Sequence, residues 1–326
     1  MSDQLTKELV LRAPAKLNIY LQVGALRSDG YHDITTVYQA INLHDEVHIS
    51  SSHSNQGITI TISGSEASDD VPTDERNLAV KAVKLLASFV GRTNHCVEIH
   101  LVKNIPSQAG LGGGSADAAA VLVGCNELWN LALSSKELMT LGARLGEDVP
   151  FHIHGMMAIG VGHREPLTDA LAAPSSGDSI PRSHIWHWVL GIPFAGGLST
   201  KEVFGKLDEL ACGRNPADYT AAQIKCLATT WASEPPSGAE IAKNLYNDLE
   251  APAVALLPVI GECLKAGLAA GALASLMTGS GSTCAFLAMD GGHAERLNVE
   301  LKATGLFRRV IVTAGPVEGV SIVRQE

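Results

Sequence analysis

The chain has 326 residues, enough for two domains of ordinary size, and 46% of them are hydrophobic, so each domain can bury a core. This excludes disorder as the state of most of the chain. Acidic residues outnumber basic ones by 34 to 24, and the net charge of -10 argues against a general binder of nucleic acid or anionic membranes. Glycine is over-represented: the 32 glycines are about a tenth of the chain, against a typical share of roughly 7%.

The cysteines and the apolar tracts bear on the compartment. Six cysteines are spread along the chain without a CxxC pair, which is typical of reduced thiols. The first residues lack the basic and then apolar pattern of a signal peptide, and the longest apolar tract, PAVALLPVIG, is far shorter than the roughly 20 residues of a membrane span. We therefore expect a cytoplasmic protein without a targeting or membrane segment.

Strands are predicted over residues 8–50, broken at APA, LRSDGYHD and NLHD. In KLNIYLQV, apolar residues alternate with polar ones, which places Lys16 and Asn18 side by side on a polar face. A helix is predicted over 77–90, followed by the strand CVEIHLV.

The loop KNIPSQAGLGGG then leads into an alanine-rich helix, SADAAAVLVGCNELWNL, for which Ser115 is the predicted N-cap. A further helix begins after Ser134, with Glu137 completing a capping box. The segment EDVPFHIHGMMAIGVG is predicted to continue as a strand, with His152 and His154 on one face. A metal site at these two histidines lacks a third ligand at usable spacing.

The stretch between Thr168 and His184 is rich in Pro, Ser and Gly and has no periodicity, so it predicts a boundary between domains 1–167 and 185–326. The second domain begins with the strand HWVLGIPF and a helix capped by Ser199. Further helices are predicted near 217–232, 238–248 and 252–268, then the strands LASLMTG and TCAFLAM, a helix over 291–304 and the strand FRRVIVTA. Without a regular βαβ rhythm, this mixture favours the α+β class.

Four glycines cluster in AGLGGGS: Gly110, Gly112, Gly113 and Gly114. They let a ligand approach the backbone, and the helix that follows offers unpaired amides and a positive dipole end, which predicts a phosphate site. A Walker loop is excluded because no lysine follows, and a dinucleotide fingerprint fails because Ser115 stands at its sixth position. A tight strand-to-helix turn is the alternative interpretation.

Pro106, a short spacer and GLGGGSA resemble the second motif of the GHMP kinase superfamily. The segments PAKLN, DGYH, LGEDVPF and TGSGSTCAF keep the superfamily's motif order through nearly the whole chain. PAKLN followed by DGYH is typical of its members that act on 4-diphosphocytidyl-2-C-methyl-D-erythritol. The resemblance implies a two-domain α+β GHMP kinase fold, with a ribosomal-S5-like N-terminal domain and a ferredoxin-like C-terminal domain.

The activity that the resemblance implies is ATP-dependent phosphorylation of the 2-hydroxyl of that cytidyl alcohol, in the non-mevalonate (MEP) isoprenoid pathway, with ATP as co-substrate and Mg²⁺ accompanying it. It implies that Asp148 deprotonates the hydroxyl and that Lys16 polarises it and stabilises the developing charge. Glu147 stands where the family usually has a small residue, so it is an alternative acid.

The nucleotide-binding residues implied are Pro106, Ser107, Gly110, Leu111, Gly112, Gly113, Gly114 and Ser115. The substrate-binding residues implied are Asn18, Tyr31, His32, Thr200, Phe204, Gly279 and Gly281. Within this set, Tyr31 and His32 are expected to clamp the cytosine ring and Phe204 to close the clamp from the second domain. No metal ligand is assigned, and Asp117 is interpreted as a partner of the helix dipole.

The expected partner is therefore a small molecule, a cytidine diphosphate linked to methylerythritol, with no nucleic acid and no membrane, and the chain is expected to be a monomer or a weak homodimer. Two other functions stay open. One is another GHMP-type reaction, on homoserine or mevalonate or as a diphosphate decarboxylation. The other is a catalytically silent nucleotide-binding module on the same fold.

Overall fold

The computed structural model describes residues 8–51, 57–93, 96–162, 167–171, 185–194, 196–210 and 238–325. Its strands are β1 (Glu8–Leu26), β2 (His32–Ser51), β3 (Ile58–Ser63), β4 (Val97–Val102), β5 (Met157–Gly162), β6 (Thr168–Leu171), β7 (Trp186–Pro193), β8 (Tyr246–Asn247), β9 (Ala274–Met277), β10 (Cys284–Ala288), β11 (Phe307–Gly315) and β12 (Ser321–Gln325). Its helices are α1 (Leu78–Phe89), α2 (Gly113–Leu128), α3 (Ser135–Gly142), α4 (Val149–His154), α5 (Thr200–Leu210), α6 (Gly238–Ala242), α7 (Glu250–Leu256), α8 (Val259–Ala269) and α9 (Gly291–Ala303).

The first sheet is built around the antiparallel pair of β1 and β2. Its strand order is β12-β1-β2-β4-β3, with β5 and β6 continuing from β2 and β8 pairing with β1. Two of the predicted breaks, APA and NLHD, lie inside these long strands. They meet at one irregularity, because Pro14 pairs with His44 whereas Ala15 pairs with Ile41. The extra residues of β2 form a bulge that accommodates the proline without ending either strand.

Helix α2 packs directly on this sheet, which explains its alanine content. Ala116 and Ala118 through Ala120 are fully buried. A β-carbon added at Gly124 would lie 2.9 Å from a methyl carbon of Ile49 on β2. Small residues therefore let the helix axis approach the sheet closely, and they set the position of the helix N-terminus.

The second sheet is antiparallel, with the order β11-β7-β10-β9. Its core contains Val189, Phe286, Leu264 and Leu297. Gly267 of α8 lies directly against the ring of Phe286, at a position where a β-carbon would be 2.0 Å from a ring carbon. The predicted strands LASLMTG, TCAFLAM and FRRVIVTA and the helix over 291–304 are confirmed in this half of the chain.

Several other predicted elements need correction. FHIH belongs to helix α4 and not to a strand, because Val149 and Pro150 begin a helix that ends at His154, with Gly155 as its C-cap. The helix predicted over 238–248 ends at Ala242, and the one over 252–268 is two helices, separated at Leu257 and Pro258. The helix near 217–232 lies outside the described residues. The helix over 77–90 and the capping box at Ser134 are confirmed.

The division into domains 1–167 and 185–326 stays a prediction, since residues 172–184 lie outside the described part. Two strands of the second half, β8 and β12, pair with β1 of the first sheet. In the described residues, no single helix is long and apolar enough to cross a membrane. Helices α7 and α8 meet the length and composition criteria only when they are taken together, and they are bent by 120° where they join.

Candidate active site

A cavity of about 1190 Å³ lies where β1, the glycine-rich loop before α2, the start of α4, the start of α5 and the loop after β9 meet. The predicted site residues that line it are Lys16, Asn18, Tyr31, His32, Pro106, Ser107, Gly110, Gly112, Gly113, Gly114, Ser115, Asp148, Thr200, Phe204, Gly279 and Gly281. Leu111 is absent from the lining; its side chain is buried and its carbonyl accepts the backbone N–H of Lys16 at 3.0 Å.

The glycine-rich loop presents the amino end of α2 to the cavity. Its N-cap is Gly112, in the left-handed conformation with φ of 76°, and no side chain caps the helix. The prediction of Ser115 as N-cap is therefore wrong, because the helix already begins at Gly113 and Ser115 lies in the first turn. Since the first amides of the helix are not capped by a side chain, they are available to an anion.

Neighbouring atoms leave no room for side chains at two glycines of this loop. A β-carbon at Gly112 would lie 2.6 Å from His152 Nε2 and 3.1 Å from Lys16 Cγ. One at Gly110 would lie 2.2 Å from the carbonyl oxygen of Thr278. The loop thus packs tightly between the lysine of β1 and the loop that follows β9.

Lys16 and Asn18 are neighbours on one face of β1, as predicted. Lys16 Nζ donates to Asn18 Oδ1 at 2.5 Å, and Asn18 Nδ2 donates to Thr36 Oγ1 at 2.8 Å. Both side chains are nevertheless almost fully buried, so this face of β1 forms the cavity wall and not an open polar surface.

Asp148 lies beside this lysine, with Oδ2 at 3.7 Å from Lys16 Nζ. It is the N-cap residue of α4, so it lies at the amino end of that helix. Its other oxygen accepts a hydrogen bond from Tyr38 Oη at 3.1 Å. Burial disfavours the charged carboxylate, but the charge of Lys16 and the tyrosine hydrogen bond outweigh this effect and hold the pKa of Asp148 below its usual value. Asp148 is therefore an ionised acceptor next to a cation.

His152 lies beneath the same loop and is fully buried. Its Nδ1 donates to the carbonyl of Pro14 at 2.8 Å, and burial lowers the pKa of His152 to about 4. The ring is therefore neutral at physiological pH, and its Nε2 has no hydrogen-bond partner among the described residues. Among those same residues there is no group of three or more His, Cys, Asp or Glu side chains arranged to hold a metal ion.

The far end of the cavity is aromatic. The rings of His32 and Phe204 have their centroids 5.5 Å apart and are tilted by 35°. His32 Nδ1 donates to the carbonyl of Gly24 at 2.8 Å, and its Nε2 lies 3.2 Å from an oxygen of Asp208 on α5. Tyr31 lines the same end of the cavity and is 59% exposed. Elements from both halves of the chain thus bring the rings of Tyr31, His32 and Phe204 to this end of the cavity, which forms an aromatic slot.

Sequence reasoning missed a buried network behind the glycine-rich loop. Lys103 Nζ bonds to both Asp45 and Asp117, and Asp45 also accepts the backbone N–H groups of Asn104 and Ile105. Burial raises the pKa of Asp117 to about 7, despite the opposing charge of Lys103. The network connects the end of β4 to Asp117 in the second turn of α2, so it braces both ends of the loop. Asp117 is a member of this network and not merely a partner of the helix dipole.

Comparison with known proteins gives the family. Residues 77–157 match the model "GHMP kinases N terminal domain", and residues 233–305 match "GHMP kinases C terminal". A protein of Nocardia farcinica named 4-diphosphocytidyl-2-C-methyl-D-erythritol kinase is 44% identical over all of both chains. A protein of the same name from Salinispora tropica is 42% identical over 96% of this chain and 93% of its own.

Solved structures agree with this relationship. A crystal structure of 4-(cytidine 5'-diphospho)-2C-methyl-D-erythritol kinase is 30% identical, has a TM-score of 0.69, and covers 94% of this chain and 99% of its own. A homoserine kinase from Cytophaga hutchinsonii has a TM-score of 0.73 at 18% identity, with 99% of each chain covered, which indicates the shared fold alone. The predicted two-domain α+β fold and the assignment as a small-molecule kinase are confirmed. The chain belongs to the GHMP kinases and, within them, to the family of the 4-diphosphocytidyl-2-C-methyl-D-erythritol kinases.

Proposed function

We propose that this protein transfers the γ-phosphoryl group of ATP to the 2-hydroxyl of 4-diphosphocytidyl-2-C-methyl-D-erythritol, in the non-mevalonate isoprenoid pathway. The observation that carries the proposal is a single cavity with an aromatic slot at one end and the Lys16–Asp148 pair beside the glycine-rich loop at the other. A substrate with a nucleobase, a diphosphate and a polyol matches this order of subsites.

The proton acceptor in this reaction is Asp148. Its carboxylate takes the proton of the 2-hydroxyl while the oxygen attacks the γ-phosphorus and the bond to the β-phosphate oxygen breaks, which releases ADP. Lys16 lies next to this carboxylate and compensates the negative charge that gathers on the transferred group. Asn18, which accepts from Lys16, orients the hydroxyl or a phosphate.

The nucleotide is held by the glycine-rich loop. The amides at the start of α2 and the hydroxyls of Ser107 and Ser115 bind phosphate oxygens, an arrangement that suits a chain with a net charge of -10. Gly279 and Gly281 line the same cavity, and Gly279 lies against Gly110 and Lys16, so we expect their backbone next to the phosphates.

The cytosine ring occupies the aromatic slot between Tyr31 and Phe204, with His32 at its edge. Thr200, whose Oγ1 lies 2.9 Å from Ser280 Oγ, contributes a polar contact from α5. The described residues of a single chain supply all these groups, which supports a monomer or a weak homodimer. The unbridged thiols of the buried Cys125, Cys263 and Cys284 support a cytoplasmic location.

Magnesium fits this donor set. Mg²⁺ takes phosphate oxygens and water together with one or two protein oxygens, so it needs no cluster of protein ligands. A β-carbon at Gly146 would lie 4.0 Å from Ser115 Oγ, so the hydroxyl of Ser115 lies next to the segment that carries Glu147 and Asp148. The hydroxyl of Ser115 would hold the ion together with phosphate oxygens and water, and its chemistry would be to neutralise the phosphate charge.

The test is a substrate panel. The protein is incubated with magnesium and ATP together with the cytidyl alcohol, homoserine or mevalonate, and ADP release is followed. We expect ADP with the cytidyl alcohol alone, and a new phosphate monoester at its 2-position by phosphorus NMR. ADP release with homoserine or mevalonate instead would move the protein to another GHMP activity. ATP binding without turnover of any of the three would identify a silent nucleotide-binding module.

A further inference from the structure

The loop from Thr278 to Thr283 contacts the groups assigned to phosphoryl transfer. Thr278 Oγ1 accepts the backbone N–H of Asn18 at 3.0 Å. A β-carbon at Gly279 would lie 3.1 Å from Lys16 Nζ and 2.9 Å from the carbonyl oxygen of Gly110. Any displacement of this loop therefore changes the surroundings of the lysine and of the glycine-rich loop together.

One side chain holds this loop from behind. Asn247 of β8 is 8% exposed and lies outside the cavity lining. Its Nδ2 donates to the carbonyl of Met277 at 2.6 Å and to the carbonyl of Gly279 at 2.8 Å. Its Oδ1 accepts the backbone N–H of Leu249 at 2.9 Å. Both amide hydrogens are thus used on the two carbonyls, and the third bond fixes the orientation of the amide.

The bond to Gly279 has a consequence inside the cavity. In a trans peptide unit the carbonyl and the following N–H point in opposite directions. Since the carbonyl of Gly279 points to Asn247, outside the cavity, the N–H of Ser280 points to the other side, and Ser280 lines the cavity. That N–H donates to no acceptor among the described residues.

We propose that Asn247 is a positioning residue, which directs the N–H of Ser280 toward a phosphate oxygen of the bound nucleotide by holding the carbonyl of Gly279. The proposal rests on the function proposed above, in which the phosphates bind at the glycine-rich loop, against which this loop packs. A preorganised backbone donor of this kind stabilises charge on phosphate without reorganising during the reaction.

The decisive variant is Asn247→Asp. The carboxylate has the size of the amide and retains the acceptor for Leu249, but it has no hydrogen to donate and repels the two carbonyls. We expect kcat to fall about tenfold to a hundredfold at pH 8, because misplacement of a catalytic donor has effects of that order. The Kd for ATP, titrated without acceptor, is expected to rise about tenfold.

The pH dependence separates donation from general support of the fold. At lower pH the introduced carboxyl binds a proton and donates to one carbonyl again, so the ratio of variant to wild-type kcat is expected to rise between pH 8.5 and pH 6. Asn247→Ser, which keeps one donor in a smaller side chain, should lie between the wild type and Asn247→Asp. Thermal unfolding of each variant establishes that the assays are made on folded protein.

Asn244→Asp is the matched control. Asn244 Nδ2 donates at 2.7 Å to the carbonyl of Glu240 on α6, and neither residue lines the cavity, so kcat and ATP binding should match the wild type. Wild-type ATP affinity and kcat in Asn247→Asp would overturn the inference, as would an equal loss at all pH values in both Asn247 variants. A wild type that binds ATP but does not phosphorylate the cytidyl alcohol refutes the proposed function, and the ATP titration still decides the role of Asn247.

Discussion

Lys16 Nζ lies 3.7 Å from Asp148 Oδ2, and the same carboxylate accepts the hydroxyl of Tyr38 through its other oxygen. Asp148, and not the adjacent Glu147, is therefore the carboxylate placed against the buried lysine. We expect Asp148→Asn to lower kcat by about 10²- to 10⁴-fold, the usual contribution of a general base, with little change in the KM for ATP. Steady-state ADP release measures both. Glu147→Gln is the matched control and should retain most of the activity; the reverse pattern would reassign the base to Glu147.

Tyr38 should set the acid limb of the pH profile. Its hydrogen bond is one of the interactions that lower the pKa of Asp148, so Tyr38→Phe raises that pKa. Because the base must be ionised, the acid limb of kcat/KM is expected to move to higher pH, with a loss of about threefold to tenfold above the limb. Tyr246→Phe removes a similar bond, 2.7 Å to Asp248 and outside the cavity lining, and should leave the profile unchanged. An unmoved limb in Tyr38→Phe would show that another group controls ionisation.

The sequence predicted this site well where a short segment holds both the residue and its chemistry. PAKLN places Lys16 and Asn18 on one face by strand alternation, and GLGGGS places unpaired amides at a helix start. Tyr38 and Asn247 carried no such signal, because they contact the site only through pairings between distant strands. The segment FHIH was predicted wrongly, because its alternating histidines fit a strand as well as a short helix. In the structure Val149 and Pro150 begin a helix in which Phe151 and His152 are buried.

The aromatic slot should determine affinity for the acceptor and not for ATP. Phe204→Ala removes the ring that faces His32 at 5.5 Å, and a lost base–aromatic contact costs about 1–3 kcal/mol. We expect the KM for the cytidyl alcohol to rise about tenfold or more while the KM for ATP stays constant. Phe194→Ala truncates a ring that is 68% exposed and absent from the cavity lining, so it controls for the loss of a surface aromatic. Equal changes in both KM values would place Phe204 outside the acceptor subsite.

Substitution of Gly112 tests whether ATP binding depends on the close approach of the glycine-rich loop to His152 and Lys16. Gly112→Ala adds a β-carbon 2.6 Å from His152 Nε2 at a φ of 76°, so the loop must shift, and the Kd for ATP is expected to rise at least about tenfold. Gly271→Ala imposes similar backbone strain at a φ of 97°, but no other atom lies within 4 Å of the added carbon. Both variants should lose some thermal stability, since each strains a left-handed residue. If the two variants bound ATP with equal affinity, the close contacts of Gly112 would have no part in ATP binding, and the substitution would act only through local backbone strain.

Asp117 should make the stability of the fold depend on pH. Burial raises the pKa of Asp117 in the folded state to about 7, from an ordinary value of 3.8, so the native state binds this proton more tightly than the unfolded chain does. The contribution of the proton to stability is therefore lost as pH rises between these values. Asp117→Asn cannot lose that proton, and Lys103 keeps Asp45 as its partner. We therefore expect the Tm of the variant, relative to the wild type, to increase from pH 5 to pH 8.

Asp290→Asn is the matched control for this pH dependence. The backbone N–H of His293 lowers the pKa of Asp290, so that carboxylate stays ionised throughout the same range and its Tm difference from the wild type should be constant. Melting curves at several pH values measure both differences. A Tm difference for Asp117→Asn that is also constant would show that Asp117 keeps one protonation state in the folded protein from pH 5 to pH 8, and that the Lys103 network stabilises its charged form against burial.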